Sequence, residues 1–176
     1  MGQPIGQGGR VGGDRPGPVV LGIDARRPCD AATRLAFAAA RRRGVVLHAV
    51  HAWRPPASAL RALPFGVPEE DRGAWEDQEE QLLADALRPW RTVYPDVAVY
   101  PDVRLQSPQV ALVHASETAG LVVVGCSGTS PGEAFRHLLR HARCPVTVVP
   151  EPAPPGPGDR DRAGTRPRPG VTGRAT

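Results

Sequence analysis

The stretch Gly125-Cys126-Ser127-Gly128-Thr129-Ser130-Pro131-Gly132 has the composition of an anion cradle. Glycine lets backbone N–H groups approach a phosphate, and a helix opening behind such a loop adds the positive end of its dipole. The hydroxyls of Ser127, Thr129 and Ser130 are further donors. The same glycines also suit an ordinary turn between a strand and a helix. Asp24, which closes an apolar run, is the second candidate. A carboxylate there can hold a magnesium ion that bridges phosphates, or a ribose hydroxyl. The alternative is helix capping or simple solvation.

Other reactive side chains are less well placed. His48 and His51 stand three apart in a strand pattern and so point to opposite faces. His137 and His141 stand four apart in a helical pattern and share a face, but no third ligand has a suitable spacing, so no metal centre is expected. Cys126, placed by the pattern in the glycine-rich loop, lacks a partner histidine and is expected to be inert or incidentally oxidisable. Cys29, Cys126 and Cys144 form no C-x-x-C pair, which argues against a disulfide framework and a zinc site. Trp53, Trp75 and Trp90 are spread out and are expected to pack. All 22 basic residues are Arg. The absence of Lys excludes a Walker A loop, a Schiff-base lysine and a lysine general base. No nucleophile sits beside a base, and no Lys is present to neutralise a transferring phosphate, so a non-catalytic protein is expected.

These residues need elements to position them. Pro18–Asp24 is a short β-branched run, as in a strand buried on both faces. Asp30 is placed to cap an Ala-rich helix through Arg43, with Gly44 as its stop. Val45–Ala52 reads as a second strand, residues 54–68 as a Pro-rich loop, and Glu69–Trp90 as a second helix. Val97–Leu105 is a third strand, and its Pro101 argues for an edge position. A helix over Pro108–Ala119, a strand over Leu121–Gly125, a helix over Glu133–Arg143 and a strand over Pro145–Val149 follow. Strands alternating with helices pair in parallel through right-handed crossovers. The expected fold is α/β: a doubly wound, open, five-stranded parallel sheet between two helical layers. Ligands of such sheets bind beyond the carboxyl ends of the strands, where the strand order reverses. If strands 1 and 4 are neighbours there, Asp24 and Gly125 face one pocket.

Composition bounds the rest. The chain has 176 residues, of which 40% are hydrophobic but only 5% aromatic, so the core must be aliphatic. The 20 Gly and 21 Pro are about twice ordinary usage. They concentrate at the ends: residues 1–17 and 151–176 read as disordered tails flanking one domain over 18–150. The net charge of +4 also sits mostly in those tails, leaving 18–150 nearly neutral, so nucleic-acid binding by the core is not expected. No apolar run is long enough for a membrane span, and the N-terminal MGQPIGQGGR has no signal-peptide core, so the expected compartment is the cytoplasm.

Three stretches together resemble a family. VVLGIDARRPCDAATRLAFAAARRRG is a strand ending in Asp followed by an Ala-rich helix; VHAW at Val50–Trp53 ends the second strand; and LVVVGCSG with FRHLLRHARCPVTVVP joins a Gly-x-x-Gly to a Cys-Pro-Val that opens the last strand. From Pro18 to Pro150 the chain is similar to a single universal stress protein domain of the UspA type. The resemblance implies strand order 3-2-1-4-5, a stress-response sensor or interaction module, and a homodimer through the fifth strand at Val146–Val149, whose apolar edge invites pairing. It also implies an ATP or other adenine-nucleotide site with Mg²⁺. There Asp24 would lie near ribose and phosphates, the backbone of Ala52 would meet adenine, and Gly125 and Gly128 would supply phosphate-facing amides. The family's nucleotide-binding branch continues with nine residues and then a Gly followed by Ser or Thr. Here the counterpart Gly132 comes after only three residues and is followed by Glu133. A shorter loop has fewer amides. A carboxylate beside phosphate costs roughly 4 kcal/mol per like-charge pair at 4 Å and an effective dielectric near 20. Arg26 or Arg27 is the candidate to restore positive charge. The alternative implied by these departures is a family member that binds no nucleotide and acts only through protein partners.

Overall fold

The computed structural model describes residues 17–55, 69–126 and 133–150. Its elements alternate: β1 (Val19–Gly22), α1 (Asp30–Arg43), β2 (Leu47–Trp53), α2 (Glu69–Val93), β3 (Val99–Leu105), α3 (Pro108–Ser116), β4 (Leu121–Cys126), α4 (Glu133–His141) and β5 (Val146–Pro150). The five strands form one parallel sheet in the order β3-β2-β1-β4-β5, as expected.

The central strands explain why the sheet is a double-sided core. β1 and β4 are unbroken apolar runs, so both faces need cover. Val19, Leu21 and Val123 face α1 and α2, where Ala36, Phe37, Ala40, Leu83 and Leu87 are buried with them. Val20, Val122 and Val124 face α3 and α4, with Ala111, Ala115 and Leu138. The small side chains along α1 let it lie close to the sheet. Gly44 ends α1 in the left-handed conformation (φ 62°), its N–H reaching the carbonyls of Ala40 and Arg41. A residue with a side chain is rare in that conformation.

Several boundaries differ from expectation. The residue flanking the start of α1 is Cys29, and Asp30 is already in the first turn. α2 runs through Pro89 to Val93 rather than stopping at Trp90. Its apolar stripe of Leu83, Leu87 and Trp90 packs on the core and overrides the proline. β3 is the edge strand that Pro101 called for. Leu47 donates to the carbonyl of Ala98, so by alternation the nitrogen of Pro101 faces the open edge and no ladder bond is lost. Cys126 is the last residue of β4 and is buried, rather than lying in the loop. His48 and His51 do project to opposite faces: His48 meets Asp102 at 2.8 Å, and His51 meets α2. Burial pushes the carboxyl of Asp102 up, but hydrogen bonds and charge from Arg104 and His48 outweigh it and hold the group below its ordinary range. His137 and His141 stack at 4.2 Å, and no metal-binding cluster occurs among the described residues.

Candidate functional site

β1 and β4 are hydrogen-bonded neighbours, with Gly22 level with Val124. Their carboxyl ends therefore open at one place, and two cavities lie there on either side of the sheet. The larger, of about 390 Å³, is on the α3/α4 side; the smaller, of about 300 Å³, is on the α1 side. Gly22, Ile23, Asp24 and Gly125 border both. The two glycines keep the partition thin. A Cβ on Gly22 would come within 2.8 Å of Val124 Cγ1 and 2.9 Å of Leu112 Cδ2, in the larger cavity. A Cβ on Gly125 would collide with the Cβ of Cys29, which is fixed to the start of α1. Gly125→Ala is therefore expected to push α1 outward at a cost of about 1–3 kcal/mol. Differential scanning calorimetry should show a melting temperature several degrees lower; an unchanged value would mean that α1 is not held against β4.

Asp24 and Gly125 thus meet, as the sequence suggested. Asp24 is half exposed; its Oδ1 accepts the Arg26 N–H at 3.1 Å, and Arg27 Nε lies 3.7 Å from its Oδ2. The turn-forming role and the position at the cavity mouth coexist. Ala52 lines the larger cavity. Gly128 and Gly132 lie outside the described residues, as does most of the loop expected to cradle phosphate. Glu133 opens α4, whose Phe135 and Leu138 form a wall of the larger cavity.

The strand ladder shows what Ala52 offers. Ile23 donates to the carbonyl of Val50 at 3.1 Å. In β2, residues of that parity turn their backbone groups toward β1. Ala52 shares the parity but stands beyond Gly22, the last paired residue of β1. Its N–H and C=O have no backbone partner on that side among the described residues. They border an apolar slot made by Gly22, Val50, Leu112 and Val124.

Charge around the slot is arranged differently from expectation. Arg26 is engaged: it pairs with Glu79 of α2. Arg27 pairs with Asp24. Arg54, not singled out from sequence, lines the larger cavity, is exposed and has no side-chain partner among the described residues. Glu79 was also missed. Its side chain is 3% exposed, and His51 Nε2 meets it at 3.0 Å. It occupies the position four residues before Leu83 and eight before Leu87, so a carboxylate on an apolar helical stripe was the available signal. Two buried side-chain atoms lack partners among the described residues: Trp53 Nε1 and Gln109 Oε1. Both residues line the larger cavity. Trp53 also packs edge-to-face on Trp75 at 6.5 Å.

A model of the Universal stress protein family matches residues 17–150. A universal stress protein of Mycobacterium tuberculosis strain H37Rv is 38% identical over 141 residues, covering 74% of this chain and 43% of that protein. One from Mycolicibacterium smegmatis is 37% identical over 141 residues, covering 75% and 45%. The chain spans less than half the length of these curated relatives. Among solved structures, a universal stress protein in complex with cAMP superposes with a TM-score of 0.55 at 20% identity, covering 76% of this chain and 96% of that one. An Arabidopsis thaliana family protein with AMP bound gives 0.53 at 17% identity, covering 83% and 99%. These two likenesses concern the fold, whereas the family model and the mycobacterial relatives settle the kinship: the chain belongs to the universal stress protein family.

Proposed function

We propose that the larger cavity binds an adenine nucleotide and that the chain acts as a non-catalytic stress-response sensor or interaction module in the cytoplasm. One observation carries the reading: the open N–H and C=O of Ala52 beside an apolar slot. A donor and an acceptor one residue wide match the edge of adenine, and the slot suits its faces. The unpartnered Gln109 Oε1 and Trp53 Nε1 on the same walls fit a ligand that brings polar atoms of its own. Asp24 stands where a ribose hydroxyl or a phosphate-bound Mg²⁺ would lie, and Arg54 can face an anionic group. Solved family members carry cAMP, dAMP and AMP. The short spacing to Gly132 and the carboxylate of Glu133 favour a ligand with few phosphates over ATP.

The test is equilibrium dialysis with AMP, cAMP, and ATP with Mg²⁺, on the unaltered chain and on Ala52→Pro. Proline removes the N–H that faces past β1 and puts its ring carbon there instead, on the side where the ladder is already open. Affinity should fall about tenfold, with a melting temperature close to that of the unaltered protein. If none of the three nucleotides binds at millimolar concentration, the second reading remains: a member that binds no nucleotide and works through protein partners, which Glu133 and the short loop favour. In either reading the open edge of β5 at Val146–Val149 supports a homodimer. A monomeric mass by light scattering at micromolar concentration would count against it.

A further inference from the structure

We propose that His51 is a positioning residue that keeps the peptide groups of Ala52 open for a ligand by accepting the Ala25 N–H. The proposal rests on the nucleotide reading of the cavity.

In register, the ladder after Ile23 N–H to Val50 C=O would continue with Ala25 N–H to Ala52 C=O. It does not. Ala25 is buried, and its N–H instead points at His51 Nδ1 at 3.3 Å. A buried N–H needs a partner; the imidazole supplies one off the backbone ladder, at the point where the cavity opens. The other ring nitrogen is anchored. Nε2 meets Glu79 Oε2 at 3.0 Å, and the other oxygen of Glu79 is paired with Arg26. A carboxylate facing Nε2 places the proton there, which leaves Nδ1 bare to accept from Ala25.

The same Nδ1 lies 3.1 Å from the carbonyl of Ile23. The two contacts exclude each other: Ala25 N–H needs a bare nitrogen, whereas the Ile23 carbonyl needs a protonated one. With the proton held on Nε2, the Ala25 contact is the hydrogen bond; were it lost, the Ala25 N–H would be left to the Ala52 carbonyl, the acceptor that an extended register would offer next. Closing that bond occupies the acceptor a ligand would use. The charged groups around the ring are few. Glu79 faces it from α2. Arg26, bound to Glu79, and Asp24 come from the segment after β1, and Arg54 follows β2 on the same cavity. Asp102 and Arg104 of β3 meet each other and His48 on the opposite face.

The experiment measures adenosine affinity by calorimetry on the full chain. Adenosine is chosen because it carries no phosphate, so the reading is confined to the slot beside Ala52. His51→Gln puts an amide where Nε2 stands but leaves Ala25 N–H without an acceptor, and should bind about tenfold more weakly. His51→Asn puts its Oδ1 where Nδ1 stands, and should restore the affinity that Gln loses. A coupling across the hydrogen bond between the Ala25 nitrogen and His51 Nδ1, read by nuclear magnetic resonance on the unaltered protein, keeps the test decisive should a variant fail to fold. No such coupling, or Asn and Gln variants that behave alike, would each overturn the role of His51. Failure of the unaltered protein to bind either adenosine or AMP would remove the nucleotide reading and this role with it; binding that the Gln variant keeps removes this role alone.

Discussion

Phe37→Ala should lower the melting temperature by about 10 °C, from a loss of about 3–5 kcal/mol at roughly 2–4 °C per kcal/mol for a chain of this length. Phe37 is fully buried on α1, with its ring 5.4 Å from that of Tyr94 and 6.3 Å from that of Trp90. It is one of only 3 Phe in the chain, set among alanines on its own helix. Small neighbours cannot lean in to fill the space it leaves, so the cavity term should approach its full size. The two aromatic contacts that tie α1 to the end of α2 vanish as well. Total stability for a domain is about 5–15 kcal/mol, so this single change should consume a large share. The check is a thermal unfolding scan followed by circular dichroism. A fall of only a degree or two would show that the α1/α2 layer is not the principal core. Phe37 touches neither cavity wall, so nucleotide affinity measured well below the new melting point should stay unchanged.

Element type and order were legible because the physics involved is local. An apolar run such as LVVV needs cover on both faces, alternating helices force parallel pairing, and Pro101 cannot donate from a central strand. Strand ends were less legible because tertiary partners set them. β1 stops at Gly22, just before the turn at Asp24–Arg27, where the buried N–H of Ala25 meets His51, a partner 26 residues further along the chain. The helix expected to end at Trp90 runs on to Val93, because the contacts of Leu87, Trp90 and Tyr94 hold its last turn on the core. Asp24 and Gly125 were placed at one cavity from the sequence because neighbouring strands of a doubly wound sheet bring their carboxyl ends together. Glu79, Arg54 and Gln109 were not, since nothing in their local sequence tells which strand end each helix or loop comes to face. The carboxylates that Arg26 and Arg27 meet are likewise revealed only by folding.

Gly22→Val should reduce adenine-nucleotide affinity about a hundredfold, close to 3 kcal/mol, while costing only about 1–3 kcal/mol of stability. Gly22 is the last residue of β1, and its missing side chain would point toward Val124 and Leu112. The atoms it would meet, at 2.8–2.9 Å, are side-chain methyl groups rather than backbone. Leu112 can turn aside, whereas the β-branched Val124 is stiff, so the fold should tolerate the change at the stated cost. The branched side chain then stands in the slot beside Ala52 and shuts out a planar base. The measurement pairs calorimetric titration of AMP with a melting scan on one preparation. Affinity retained within about threefold would place the ligand elsewhere. Gly125→Ala is the matched control on the other face of the same partition: its clash is with Cys29 of the α1 side, so stability should fall while the slot keeps its shape. Affinity lost in one variant and kept in the other, at a similar cost in stability, would locate the base on the α3/α4 side of the sheet, because a general weakening of the strand ends would lower affinity in both.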